Sequence, residues 1–407
     1  MTGGTTARAL ARPALPALVV GVASSLVLLV VSLAAEWVQE VLWKHLPASL
    51  GLDGGSGWWT LGMLTAVGLV AGLVVWKVPI GPDPATEGLV GPPLPVRVVP
   101  GMLLATGITL AGGVSLGPEN PITAANVALA VAVGARVLPG IRIPVWAALG
   151  AAGTIGALFG TPVAAALILS EMALGSKDEP LWDRLFAPLI AAGAGAITTV
   201  LVAAPVFDLG LPGYTFRAGD LVAGALVAVA GVLVGLAAVY AFPYVHTFFH
   251  RVPHPVPRLM LGGLVLGVLG VIGGQITLFK GLSELKELVA AHDGAATLAL
   301  VLAVKMAALL VAATAGFVGG RIFPVVFAGG ALGLLVTALV PGVPVTLSIA
   351  CAVMGVTLAI TQQGWLSLFM AATMVADLDL LPVLCLAVLP AWLLVTGRPQ
   401  MIIEEST

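Results

Sequence analysis

Long apolar segments that follow one another with little polar sequence between them dominate this chain. The first, residues 13–35, contains no charged residue. A helix that crosses a bilayer needs about 20 apolar residues, whereas the apolar part of a signal peptide has about 7–15. We therefore predict a first membrane helix at residues 14–36. Further spans or half-spans are predicted at residues 58–76, 98–113, 121–135, 143–158, 162–175, 185–205, 218–242, 257–275, 293–316, 324–340, 345–360, 363–376 and 381–396.

The balance of apolar and charged residues fits this interpretation. Hydrophobic residues make up 59% of the chain and charged residues only 9%, against about 25% charged residues in soluble domains. We therefore predict an all-α integral membrane protein, since helices satisfy every backbone group within one segment. The net charge of −2 gives no basic field for nucleic acid. The sequence contains no motif for a cofactor, a metal site or a catalytic nucleophile, so we expect none of these and no enzymatic activity.

Two motifs framed by glycine and proline interrupt the apolar pattern. One is Gly117-Pro-Glu-Asn-Pro121 and the other is Gly320-Arg-Ile-Phe-Pro324, and each lies between apolar helices. Interrupted helices at matching positions in two halves indicate a transporter with internal repeats and a binding site at the breaks. We predict one transmembrane domain made of two repeats, residues 1–206 and 217–402, with a seam near Phe207–Phe216. The first turns of the two helices that follow the breaks should converge on one point.

The distribution of Lys and Arg predicts the orientation. Arg8 and Arg12 precede the first span, Arg398 follows the last span, and residues 243–257 contain further basic residues. Positive residues favour the cytoplasmic side. We therefore expect both termini and the predicted 243–257 loop in the cytoplasm, and the 36–57 loop outside. The histidines of this loop, at positions 246, 250 and 254, fit a basic membrane edge better than a metal site.

Charged residues within apolar segments are functional candidates, because a charge in lipid costs about 2.5–3.5 kcal/mol on insertion scales. Glu119 lies at the entry to the helix that follows the first break. The free N–H groups of a helix N-terminus bind anions. A carboxylate there competes with a halide and can act as a gate. The alternative is an acid that only balances the helix dipole.

Three other charged residues within apolar segments are candidates. Arg321 either attracts anions or caps a carbonyl of a neighbouring helix. Glu171 either relays protons between the cytoplasm and the pore or is an acid at a helix end. Lys305 is interpreted as a buried structural charge that pairs with a helix C-terminus or an acid. Asp377 and Asp379 are interpreted as loop or interfacial residues.

These motifs resemble those of the CLC chloride channel and transporter family. Residues 117–121 resemble its G-[R/K]-E-G-P motif, residues 320–324 its G-x-F-x-P motif, and residues 161–171 its N-A-P-L-x-G-x-x-F-x-x-E-E stretch. The resemblance covers about residues 17–402. It implies a CLC-like bundle of full and broken helices in two inverted-topology repeats and a homodimer with one pore per subunit. It makes Glu119 the external gate and Glu171 the internal proton glutamate.

The same resemblance assigns the anion site, with departures from the family pattern. The anion-binding positions fall on Gly81, Gly117, Pro118, Asn120, Gly320, Arg321, Ile322, Phe323 and Met401. Gly81 and Met401 stand where the family has hydroxyl donors. Backbone N–H groups are therefore expected to hold the ion. The chain ends soon after Met401, so no C-terminal regulatory domain is expected.

The function expected from these observations is transport of a small, chloride-like anion across a prokaryotic plasma membrane, in exchange for protons. A passive anion channel and a fluoride-selective transporter are the alternatives. A membrane protein without transport activity, such as an intramembrane enzyme or an assembly factor, is a distant one. It would need paired Asp residues or a Ser–His pair on spanning helices, and neither pattern is present.

Overall fold

The computed structural model describes residues 10–82, 85, 87–171, 180–203 and 209–403. In these ranges the secondary structure is helical, apart from one isolated antiparallel bridge between Gly117 and Gly320. The helices of the first half are α1 (Ala14–Glu40), which continues as a π-helical segment (Val41–His45) and a short α-helical segment (Leu46–Ser49), α2 (Gly57–Lys77), α3 (Val99–Ala111), α4 (Glu119–Val137), α5 (Ile143–Phe159), α6 (Pro162–Glu171) and α7 (Leu181–Val202). The helices of the second half are α8 (Asp220–His250), α9 (Pro255–Gly273), α10 (Leu282–Ala291), α11 (Ala295–Ala315), α12 (Ile322–Leu339), α13 (Val345–Thr361), α14 (Gly364–Val375) and α15 (Leu381–Val395).

The predicted spans correspond to these helices, with ends that differ by a few residues in most cases. The predicted 36–57 loop is wrong as far as Ser49, because the helix that begins at Ala14 continues to that residue and buries Trp43 and Pro47. Eight helices in the described residues are long and apolar enough to cross a membrane, and shorter apolar helices lie between them. The protein is therefore a multi-pass membrane protein with full and partial spans. Helix α10 has no counterpart among the predicted segments, because its Glu284, Lys286 and Glu287 interrupt the apolar pattern. The end of the predicted 162–175 segment lies outside the described residues.

The predicted loop at residues 243–257 is wrong for most of its length. Helix α8 continues through Pro243 to His250, and α9 begins at Pro255. The helix continues because Phe242 and Phe249 are both buried, so the packed face extends past the proline. The rings of His246 and His250 lie one turn apart on α8 and stack with their centroids at 3.7 Å.

Glycines allow the two halves to pack at close range. A Cβ on Gly263 of α9 would overlap the backbone of Leu64 on α2, and a Cβ on Gly68 of α2 would overlap that of Leu259. Small residues at such crossings are typical of membrane helices, because they let backbones approach. Within the second half, Gly329 of α12 meets α13 in the same way.

The connector between the halves is described from residue 209 and contains no helix as far as residue 219. Its Tyr214 donates from the backbone N–H to Asp377 (2.7 Å) and from the hydroxyl to Asp220 (3.0 Å). Burial, and then the hydrogen bond to Asp220, raise the pKa of Tyr214 to about 12, so the hydroxyl stays a donor. The connector is thus fixed to the second half. Residues 207 and 208 of the predicted seam lie outside the described residues.

Candidate functional site

The two glycine–proline breaks meet, as the sequence predicts. The backbone N–H of Gly117 donates to the Gly320 carbonyl at 2.7 Å, and the N–H of Gly320 donates back to the Gly117 carbonyl at 2.5 Å. This reciprocal pair holds the start of α4 beside the start of α12. Two helix N-termini from different halves therefore share one buried location.

Glu119 is the first residue of α4 and is fully buried. Its carboxylate Oε1 accepts the backbone N–H of Ile322 at 2.5 Å and that of Phe323 at 3.4 Å. The sequence predicts a helix that begins near Pro121, with the Glu119 carboxylate at the N-terminus of that helix. The structure begins α4 two residues earlier and places the carboxylate on the first turn of α12, in the other half.

Glycine at both bridging positions leaves room for the Glu119 carboxylate. A Cβ on Gly117 would overlap Oε2 of Glu119 and approach the Phe323 ring, and a Cβ on Gly320 would overlap the Glu119 carboxyl group. Glycine lets backbone come this close to a bound group because it has no Cβ. Pro118 is the N-cap residue of α4. The glycines therefore create the space in which an anionic group reaches the amides of α12.

Arg321 precedes α12 and is buried, with 4% of its surface exposed. Its guanidinium donates to the carbonyls of Glu87 (3.1 Å) and Ala85 (3.5 Å). The Asn120 side chain donates to the same Glu87 carbonyl at 3.3 Å. These bonds fit the carbonyl-capping interpretation, although the carbonyls belong to a loop and not to a helix end. Arg321 is also the charged neighbour of Glu119, so its positive charge favours an anion there.

Gly81 and Met401, which stand where the family has hydroxyl donors, have different surroundings. Gly81 is exposed, and a Cβ on it would face Val98 and Leu94. Met401 is fully buried and belongs to the same core as Ile322 and Phe323. Residues 83 and 84 of the segment that starts at Ile80 lie outside the described residues.

A hydroxyl that the sequence analysis did not identify lies close to the first break in the chain. Ser115 is buried, and its Oγ has no hydrogen-bond partner among the described residues. Buried polar groups without a partner are rare and cost about 1–3 kcal/mol. The signal available in the sequence was a single hydroxyl residue within the glycine-rich stretch that precedes Gly117.

Glu171 ends α6 and is exposed. Its Oε1 accepts the backbone N–H of Trp365 at 3.0 Å, on the first turn of α14. Glu119 and Glu171 thus use the same arrangement, in which a carboxylate of the first half accepts N–H groups at a helix N-terminus of the second half. The polar loop that follows Glu171 lies outside the described residues as far as residue 179.

The two other acidic and basic candidates have structural partners. Lys305 is fully buried on α11 and donates to backbone carbonyls of residues 277–279. Its interpretation as a buried charge fits this burial, but these carbonyls lie at and just after a short 3-10 turn (Gln275–Thr277) and not at the C-terminus of an α-helix. Asp377 lies in the connection between α14 and α15, as expected, and Asp379 donates from its backbone N–H to it at 3.0 Å. No group of three His, Cys, Asp or Glu side chains that could hold a metal occurs among the residues that the structure describes.

The fold and the paired breaks define a multi-pass membrane transport protein built on broken helices. Sequence comparison identifies the family. The profile of the family described as "Voltage gated chloride channel" matches residues 84–396. The chain belongs to this family, the CLC channels and transporters, and it is an ion-transport protein and not an enzyme.

Similar proteins agree with this assignment. A protein of Escherichia coli O9:H4 (strain HS) named "Putative ion-transport protein YfeO" is 50% identical over 404 residues, which cover 98% of this chain and 97% of that protein. The protein of the same name from Salmonella schwarzengrund (strain CVM19633) is 51% identical over 399 residues, 97% of each chain.

Solved structures share the fold. A "slow cyanobacterial Cl-/H+ antiporter" superposes with a TM-score of 0.77 at 16% identity, over 96% of both chains. A "CLC-type fluoride/proton antiporter" superposes with a TM-score of 0.73 at 20% identity, also over 96% of both chains. At these identities the likeness concerns the fold. The all-helical CLC architecture is thereby confirmed.

Proposed function

We propose that this protein carries a small inorganic anion, chloride or a similar ion, through a pore in which Glu119 is the gate. The observation that carries the proposal is the contact of the Glu119 carboxylate with the backbone N–H groups of Ile322 and Phe323. A site that holds a carboxylate at a helix N-terminus suits a free anion of the same charge. Occupation by Glu119 closes the path, and protonation of Glu119 releases the site.

The anion site on this proposal consists mainly of backbone. Residues 117–118, 120 and 320–323 shape it, and the charge of Arg321 adds a fixed attraction. Gly81 and Met401 occupy the places of side-chain hydroxyls in the family pattern and contribute no hydroxyl. The unpartnered hydroxyl of Ser115 is an additional candidate donor. Backbone amides discriminate weakly between small anions, so chloride and fluoride both need to be measured.

Proton exchange through Glu171 is the second part of the proposal. Glu171 lies at the exposed end of α6 and caps α14, so it can take up a proton from solvent at the predicted cytoplasmic side. A carboxylate held only by backbone N–H groups at a helix end can exchange its proton without unfolding the helix. Anion exchange against protons then requires both acids, one buried and one exposed.

The assembly proposed around this pore follows the family. Corresponding helices recur about 200 residues apart, as in α4 and α12 or α6 and α14, which supports two inverted repeats divided near residues 206–217. Helices α7 and α15 expose large apolar side chains, among them Leu201 and Leu393, which supports contact with a lipid bilayer, and the proposed homodimer follows from the family alone. The Lys and Arg distribution supports cytoplasmic termini in a prokaryotic plasma membrane.

Flux from proteoliposomes tests the function directly. Vesicles loaded with chloride, fluoride or nitrate are diluted into anion-free buffer, with and without an opposing proton gradient. The proposal expects proton uptake that accompanies anion efflux, and anion movement uphill when a pH gradient drives it. Flux that no pH gradient can drive uphill would establish a passive channel instead. A preference for fluoride over chloride would mean that the protein is a fluoride transporter. Absence of flux for all three anions would refute the proposal.

A further inference from the structure

Lys305 is a fully buried charge in the middle of α11 that the proposed transport cycle does not use. Its ammonium group donates to three consecutive carbonyls, those of Thr277 (3.2 Å), Leu278 (3.0 Å) and Phe279 (2.9 Å). An ammonium group has three donors, so all three are used on one short segment. Such a contact fixes the backbone of residues 277–279 firmly.

The segment held by Lys305 contacts the first break. Phe279 has a φ of 57°, in the left-handed region that bulky residues rarely adopt. In this conformation its backbone N–H donates to the carbonyl of Gly113 at 3.1 Å. Its ring packs edge-on against Trp43, with the centroids 5.3 Å apart, and the Trp43 indole N–H donates to the Ala111 carbonyl at 3.1 Å. Phe279 and Trp43 thus hold the end of α3, where the chain turns toward Gly117.

Lys305 also contacts the helix that carries the second break. Its Nζ lies 4.8 Å from the centroid of the Phe327 ring. Phe327 is fully buried on α12, little more than one turn after Ile322. The Phe327 ring also lies beside Gly281, two residues after this segment, since a Cβ on Gly281 would overlap it. One ammonium group therefore joins the segment that supports the first break to the helix that begins at the second.

We propose that Lys305 is a positioning residue, which fixes the first break against the N-terminus of α12 and so sets how tightly the Glu119 carboxylate is held. We call Lys305, Phe279 and Trp43 the Lys305 clamp. The inference rests on the proposed gating by Glu119 and adds a residue that acts through it. The charged group that faces Lys305 is Glu284 of α10, and the one that faces Glu119 is Arg321.

The pH dependence of anion flux shows how strongly the clamp holds the ionised Glu119 carboxylate in place. Loosening the clamp weakens the bonds from the α12 amides to ionised Glu119, so Glu119 becomes protonated at higher pH and the pore opens at higher pH. For Lys305→Met we expect the pH of half-maximal flux to rise by about half a unit, a factor of about three in the protonation equilibrium. Trp43→Phe removes the bond to Ala111 without changing charge and should shift the profile in the same direction. Lys305→Arg keeps the positive charge and the N–H donors, and should keep the wild-type profile.

Two comparisons separate the clamp from a general loss of stability. Lys280→Met removes a neighbouring lysine whose partner is the exposed Glu36 at 3.0 Å, and it should leave the pH profile unchanged. In a Glu119→Gln background, Lys305→Met should cause no additional shift. A merely structural role would lower the yield of folded protein and leave the pH profile of the remainder as in the wild type.

The outcomes distinguish the clamp from the gate. If Glu119→Gln abolishes the pH dependence but Lys305→Met keeps the wild-type pH profile, the clamp is overturned and the gate is not. If Lys305→Met does not fold, Trp43→Phe gives the same test. If Glu119→Gln keeps the wild-type pH dependence, the gate and the clamp are both overturned. A shift in the Glu119→Gln background equal to that in the wild type also overturns the clamp, because Lys305 would then act without Glu119.

Discussion

Replacing Glu119 by glutamine removes the charge that competes with the transported anion. In the structure Oε1 accepts one short bond from Ile322, at 2.5 Å, and one long bond from Phe323, at 3.4 Å. A hydrogen bond to an ionised group contributes about 1.5–3 kcal/mol, and the long bond adds little. The charge at a helix N-terminus contributes about 0.3–1 kcal/mol more. An anion must therefore displace an interaction of about 2–4 kcal/mol, equivalent to a factor of roughly 30–1,000 in affinity at 1.4 kcal/mol per tenfold.

The neutral glutamine side chain keeps the shape of glutamate but not this competition. For Glu119→Gln we expect at least tenfold tighter anion binding and a flux that no longer depends on pH. Wild-type flux should rise as pH falls, because protonation removes the carboxylate from the α12 amides. Binding is measured by titration calorimetry in detergent, and flux by an anion electrode outside proteoliposomes between about pH 4.5 and 7.5. Glu40→Gln, at an exposed carboxylate of α1, is the matched control.

A Glu119→Gln protein with the wild-type affinity and the wild-type pH profile would refute this reasoning. It would mean that the carboxylate contact with α12 is a structural cap only. If flux is lost at every pH because the variant does not fold, a lower thermal unfolding midpoint of the same preparations will show it. Titration of the folded fraction would still give the affinity.

Three further variants test separate contacts. Glu171→Gln should abolish proton uptake while anion efflux in the same vesicles continues, and unchanged coupling would rule out a relay through this residue. Gly320→Ala should push the Glu119 carboxylate away from α12, so that flux at pH 7.5 rises several-fold and its pH dependence flattens; a wild-type profile would contradict the overlap argument. Arg321→Met leaves the carbonyls of Ala85 and Glu87 without this donor and should lower the free energy of unfolding by about 1–3 kcal/mol. This loss is measured as a lower midpoint in thermal unfolding. An unchanged midpoint would show that these bonds contribute nothing to stability.

The sequence was sufficient to predict the spans and the breaks because both depend on local composition. A charge-free run long enough to cross a bilayer predicted α1, and the glycine–proline framing predicted the starts of α4 and α12 to within two residues. The convergence of the breaks followed from the general rule that irregular backbone within a membrane surrounds a shared site.

The features that the sequence did not reveal depend on packing between distant residues. Helix α8 continues through Pro243 because Phe242 and Phe249 pack inside the protein, and no local pattern shows that. Helix α10 was missed because a short helix that carries charges does not look like a membrane segment. The carboxylate of Glu119 reaches α12 in the other half because the Gly117–Gly320 bridge brings the two helix starts together.

The position of a bound anion in the Glu119→Gln protein tests the central claim most directly. Crystals of this variant grown with bromide, and measured at the bromine absorption edge, should show an anomalous peak within hydrogen-bond distance of the backbone N–H groups of Ile322 and Phe323. An ordered bromide at this position would mean that the carboxylate occupies an anion site. Glutamine in the place of the carboxylate, with no anomalous peak near the first turn of α12, would contradict the account.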